Sequence, residues 1–95
     1  MAIGSAQRRD ERKPRIEKQF AARDVEAALD LLHLTDLAWH DCYGPRELEV
    51  PSPVLDDILL LARGDLASLV RLSLGAVLDF RDLRMAADAK RGKDS

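Results

Sequence analysis

The chain has 95 residues, of which 46% are hydrophobic and only 4% aromatic, so it can form one small domain with an aliphatic core and is too apolar to be disordered throughout. Its formal net charge of −2 hides an asymmetry: residues 24–89 carry thirteen acidic and five basic side chains, whereas residues 1–23 and 90–95 are net basic. Cys42 is the single cysteine, which excludes an intrachain disulfide, and no apolar run is long enough for a signal peptide or a membrane span. We therefore expect a cytoplasmic protein without a membrane segment.

The N-terminal segment is strongly charged. Residues 1–13 mix both signs of charge and show no apolar periodicity, which predicts a disordered basic tail. Residues 14–92 are predicted to form a single helical domain. Pro14 suits the first turn of a short helical segment, in which Ile16 and Phe20 are spaced to contact the domain. Whether residues 14–23 continue into the next helix without a break stays open.

The next segment predicts a helix that begins after an N-cap at Asp24 and ends near Tyr43, before Gly44 and Pro45. One broad arc of its helical wheel is predicted to be buried and holds Val25, Ala28, Leu31, Leu32, Thr35, Ala38, Trp39 and Cys42. The other side is predicted to be solvated and holds Glu26, Asp30, His33, Asp36, His40 and Asp41.

Two further helices are predicted at 53–63 and 65–90. Ser52 followed by Pro53 is a typical helix start, and Asp65 can cap the last helix directly after Gly64. The shorter helix is almost entirely apolar, so we expect it to be the most buried element. Arg84 falls among the core positions of the long helix, which requires it to snorkel, to pair with a buried carboxylate or to face a second chain. The predicted fold class is all-α, a small bundle of three principal helices.

The sequence contains no convincing pattern of a catalytic or metal-binding site. The sequence contains no glycine-rich phosphate loop, no GxSxG elbow and no CxxC pair. His33, Asp36 and His40 share one side of a helix, but their polar surroundings favour a solvated face over a zinc site. Cys42 and His40 do not face each other on a helix, which disfavours a nucleophilic pair. We predict a protein that is not an enzyme, with no metal and no cofactor.

The back of the long helix carries a second apolar stripe. Ala67, Leu74, Leu78 and Met85 are spaced seven, four and seven residues apart, as in a helix–helix seam, and Arg71 and Arg81 flank them. Either the predicted helix at 24–43 buries this stripe internally, or it binds a second copy or another protein. These six residues are the predicted partner-binding site.

The function suggested by size and charge is a small acidic protein-interaction module. It would act as a neutralising partner, of the immunity or antitoxin kind, or as an accessory subunit of a basic protein. The alternative is a DNA-associated regulator that uses the basic N-terminal tail. The acidic start of the long helix, Asp65, makes it a poor major-groove reader, so binding to nucleic acid is expected to be unlikely.

Overall fold

The computed structural model describes residues 2–94, with the side chains of residues 6–92. Over this range the chain forms four α-helices and no strand. Helix α1 spans Ala2–Gln19, α2 Val25–Tyr43, α3 Ser52–Ala62 and α4 Leu66–Asp94, and a 3₁₀ turn at Ala22–Asp24 links α1 to α2. The predicted all-α bundle is confirmed, with one helix more than expected. Among the described residues no helix has the length and apolarity needed to cross a membrane.

Helix α1 is the main difference from the sequence prediction. Residues 2–13 are helical rather than disordered, and Met1 lies outside the described residues. Pro14 lies inside the helix instead of in its first turn. Ile16 and Phe20 are buried, as their spacing suggested. The apolar pattern did not reveal residues 2–13 because Arg8, Arg9 and Arg12 hold this part of α1 to the domain through salt bridges.

Arginines of α1 form salt bridges with acidic residues of the rest of the domain. Arg9 contacts Glu26 and Asp30 of α2, with its Nη1 2.7 Å from the Asp30 carboxylate. Arg15 Nη1 lies 2.7 Å from the carboxylate of Asp56 at the start of α3. The acidic domain and the basic N-terminal segment therefore neutralise each other within one chain.

A buried ion pair lies at the centre of this contact. Asp36 is 1% exposed, and its two carboxylate oxygens accept hydrogen bonds from Arg12 at 2.8 and 2.9 Å. The backbone N–H of Val50 donates to the same carboxylate at 3.0 Å, and Arg8 Nε lies 3.3 Å from it. The prediction that Asp36 is solvated is wrong, because α1 and the loop after α2 cover it.

Helices α3 and α4 meet at a tight corner. Arg63 and Gly64 both have positive φ angles, 54° and 77°. The Asp65 carboxylate accepts a hydrogen bond from the backbone N–H of Ser68 at 2.9 Å, so its predicted capping role is confirmed. The other two predicted N-caps are not observed. Asp24 makes no side-chain cap hydrogen bond, and Ser52 is already the first residue of α3.

The hydrophobic core lies between all four helices, and α3 contributes to it along most of its length, as predicted. Large core side chains with less than 2% exposure include Ile16, Leu32, Ile58, Leu59 and Leu69. Cys42 was predicted to be buried with them, but it is exposed near the C-terminal end of α2. At that end Trp39 and Tyr43 carry the packing against α4, with ring centroids 5.7 and 6.0 Å from that of Phe80.

Gly64 allows the end of α1 to approach the α3–α4 corner. A Cβ atom at this position would lie 2.1 Å from the backbone oxygen of Gln19. Gly64→Ala should therefore displace the end of α1, and we expect a loss of at least about 1–3 kcal/mol from the positive φ alone. Urea unfolding followed by circular dichroism measures the loss.

Gly75→Ala is the matched control for this prediction. Gly75 is helical and exposed, and a Cβ there would meet nothing within 4 Å. It should therefore stabilise the helix by about 0.5–1 kcal/mol. Equal effects of the two alanines would contradict the close approach at Gly64.

Candidate protein-binding face on α4

The apolar stripe predicted on the long helix is exposed. Relative exposures along it are 60% for Leu74, 73% for Leu78 and 71% for Met85, and Val70 beside it is 48% exposed. Ala67 is exposed as well. We call these five side chains the outer face of α4. The end of α2 contacts α4 at Phe80 and Val77 and leaves Leu74, Leu78 and Met85 exposed, so internal burial of the stripe by this helix is wrong.

A kink divides the outer face. Asp79 has φ −161° and ψ 94°, which interrupts the helix although no proline is present. Its carboxylate accepts a hydrogen bond from the backbone N–H of Arg81 at 3.1 Å and so caps the second half of α4. The helix that was predicted to be continuous is thus two helical segments, with Leu78 immediately before the kink and Met85 beyond it.

Arg81 also pairs with Asp79. Its Nε lies 3.0 Å from the Asp79 carboxylate, and this side-chain hydrogen bond, with that from the Arg81 backbone, holds the pKa of the Asp79 carboxyl below its ordinary value. Arg81 is one of the six residues of the predicted partner-binding site. Because it already pairs with an intrachain carboxylate, it is a weaker candidate for a partner contact.

A groove of about 390 Å³ runs beside Leu78 at the kink. Its apolar lining comes from the end of α3 and both halves of α4: Leu61, Leu72, Gly75, Leu78, Leu83 and Ala86. Three charged residues, Arg71, Asp79 and Asp82, complete the lining. The groove and the neighbouring exposed leucines together offer both a concave and a convex apolar surface.

The charges at this groove differ in whether they are already paired. Asp79 is paired with Arg81, whereas neither Arg71 nor Asp82 forms a salt bridge with any residue of the described range. Both are exposed. Arg71 interacts through charge with Asp65, and Asp82 with Arg81, but neither is held in a salt bridge, so both side chains can still contact a partner at the margin of the apolar surface.

Arg84 is held away from the outer face. Its Nε lies 3.2 Å from the fully buried carboxylate of Asp57 in α3, and Arg91 Nη2 lies 2.7 Å from the same carboxylate. Of the three roles predicted for Arg84, pairing with a buried carboxylate is the one observed. These two salt bridges attach the second half of α4 to α3.

A second groove, of about 500 Å³, lies over the aromatic cluster at the end of α2. Trp39, Tyr43 and Phe80 line it together with Glu47, whose carboxylate accepts a hydrogen bond from the Trp39 indole N–H at 3.2 Å. The three rings are in contact, with Trp39 and Tyr43 centroids 4.3 Å apart. The rings already pack on one another, and the polar Trp39 N–H and Glu47 carboxylate are bonded to each other, so this groove is the weaker candidate.

The residues considered for metal binding or catalysis are not brought together. Asp36 is occupied by Arg12, and the His40 ring nitrogen Nδ1 lies 3.1 Å from the Glu47 carbonyl oxygen. Within residues 2–94 no group of three or more His, Cys, Asp or Glu side chains has a geometry that could hold a metal ion.

Comparison of the chain with family models, curated proteins and solved structures finds no match. Its function is therefore argued from the geometry of the outer face of α4 and the groove beside it. Periodicity identified the exposed apolar residues. It did not reveal the groove or the kink, although an aspartate inside an apolar helical pattern is a signal for a new helix start.

Proposed function

We propose that this chain is a small, non-catalytic protein-interaction module whose docking face is the outer face of α4. The observation that carries the proposal is the exposure of Leu74, Leu78 and Met85, each 60% or more, beside an apolar groove. Large apolar side chains grouped on one surface typically mark a protein-binding site, because leaving them in water costs free energy that a partner recovers.

The more specific proposal is a neutralising or accessory role toward a basic protein in the cytoplasm. Its support is the acidic composition of residues 24–89, together with Asp82 at the margin of the groove. The arginines of α1 neutralise several acidic side chains on α2 and α3, so attraction of a basic partner would come from the acids that remain exposed, such as Asp82 and Asp41.

The alternative of a DNA-associated regulator has less support. Binding to phosphates requires free basic side chains, but Arg8, Arg9, Arg12 and Arg15 all lie in salt bridges with carboxylates of the same domain. Detaching α1 to bind nucleic acid would expose those carboxylates and repel the phosphates.

Photo-crosslinking tests the proposed face. A benzoylphenylalanine at position 78 should form covalent adducts with a bound protein on irradiation in cells that express the chain naturally. The same group at position 34 is the control, because Leu34 is a helical leucine that is 60% exposed but lies on α2. We expect adducts at position 78, a loss of at least about fivefold in yield when Leu74→Glu is added, and few adducts at position 34.

The adduct pattern also shows how the proposal would fail. Equal yields at positions 78 and 34 would indicate random collisions. A yield at position 78 that is unaffected by Leu74→Glu would show that the outer face of α4 is not what the partner contacts.

A further inference from the structure

Helix α1 is attached to the domain in two different ways, one on each side of Pro14. We propose that residues 6–13 form an arginine latch, which opens about Pro14 as the ionic strength rises while residues 15–20 stay docked. The latch lies in a different part of the molecule from the outer face of α4, so this inference does not rest on the proposed function.

The arginine latch is attached by charge. Among its described side chains Arg12 is the only buried one, so no apolar side chain of the latch is buried. Arg8 and Arg12 both contact the carboxylate of Asp36, and Arg9 pairs with two carboxylates of α2. Salt screens such contacts, most strongly where the partners are exposed.

Beyond Pro14 the attachment is mainly apolar. Ile16 is 0% exposed and Phe20 is 4% exposed, and both belong to the hydrophobic core. Arg15 adds one exposed salt bridge, to Asp56. Burial of apolar surface is not screened by salt, so this part of α1 should stay in place under conditions that weaken the latch.

Pro14 lies at the boundary between the two attachments. It is inside α1, where a proline has no N–H to donate to the carbonyl four residues earlier, that of Asp10. Its ring also crowds that carbonyl. The ladder of helical hydrogen bonds is therefore weakest where the charged attachment gives way to the apolar one.

Opening returns both members of each ion pair to water. The hydration that Arg12 and Asp36 recover offsets part of the attraction that they lose. The acidic partners of Arg9 are already largely hydrated, with Glu26 68% and Asp30 69% exposed. An open latch leaves these three carboxylates without their arginines, so this side of the domain becomes more acidic.

Hydrogen exchange of the full chain, resolved by residue with NMR, tests the latch at about 0.1 M and about 1 M sodium chloride. A detached helix of this length is marginal in water, so opening should expose its amides to exchange. At low salt we expect one common protection factor across the latch, at least about tenfold below that of residues 18–20. High salt should widen the ratio by at least about threefold, because the Debye length falls from about 10 to about 3 Å.

Pro14→Ala tests the position of the hinge. It restores an N–H that can donate to the Asp10 carbonyl, so the latch protection factors should rise at least about fivefold and the step at position 14 should disappear. Pro14 is exposed, so the variant should keep the parent's circular dichroism spectrum. Gln19→Ala is the control, since it changes an exposed, uncharged side chain of α1, leaves Pro14 in place and should keep the step.

Three results would overturn the inference. A smooth gradient of protection from residue 6 to residue 20 would show fraying of the helix end instead of a latch. A ratio that does not change with salt would show that charge is not what holds these residues. A step that persists in Pro14→Ala would show that Pro14 is not the hinge.

Discussion

Replacing Ile58 with aspartate should unfold the domain. Ile58 is 0% exposed and lies in α3, which contributes Val54, Ile58, Leu59 and Ala62 to the core. An unpaired carboxylate there loses its hydration without gaining a partner and removes the packing of the isoleucine. We expect a loss of more than about 4 kcal/mol, a large part of the stability of a domain of this size. Circular dichroism and urea unfolding measure it.

Leu48→Asp is the control for this prediction, since Leu48 is 57% exposed in the loop before α3. It introduces the same charge into water and should change the stability by less than about 0.5 kcal/mol. If Ile58→Asp melted like the parent, the position of α3 in the core would be wrong.

Removing the carboxylate of Asp36 should have the second largest effect. Asp36→Ala leaves the buried guanidinium of Arg12 with only the more distant Glu49 carboxylate, 3.9 Å from its Nη2, and removes the acceptor of the Val50 N–H. Breaking one side of a buried ion pair costs about 3–5 kcal/mol, because the remaining charge stays desolvated. Thermal and urea unfolding should show the loss, and hydrogen exchange should show that α1 opens first.

Asp30→Ala makes the same substitution on the same helix, and Asp30 also pairs with an arginine of α1, Arg9. Its side chain is 69% exposed, so water and salt screen the pair and the loss should be at most about 1 kcal/mol. Similar losses for the two variants would show that Asp36 is not the anchor of α1.

The contrast between Asp36 and Asp30 shows that helix periodicity did not predict which of the two carboxylates is buried. Both residues lie on the side of the predicted helix that carries its charges, and both were expected to be solvated. Helix α1 covers Asp36 and leaves Asp30 exposed to water. Because Arg8 and Arg12 hold Asp36 through salt bridges, the apolar spacing of residues 1–13 contains no sign of that packing.

The kink in α4 and the exposure of Cys42 have similar causes. Asp79 can continue a helix or cap a new one, and here it caps the second half of α4, which Arg84 and Arg91 attach to Asp57 of α3. Cys42 lies in the apolar arc of α2, but at this end of the helix α4 packs against Trp39 and Tyr43 and leaves Cys42 exposed.

The sequence by itself determined the all-α class, the extent of α2 and α3, the corner at Gly64 and Asp65, and the apolar stripe on α4, because these depend on local periodicity, capping and turn chemistry. Only the tertiary structure decided that α1 is docked, that Asp36 and Asp57 are buried, that α4 is kinked and that its stripe is exposed. Those features depend on contacts between residues far apart in the chain, such as Arg12 with Asp36 and Arg91 with Asp57, which no local pattern encodes.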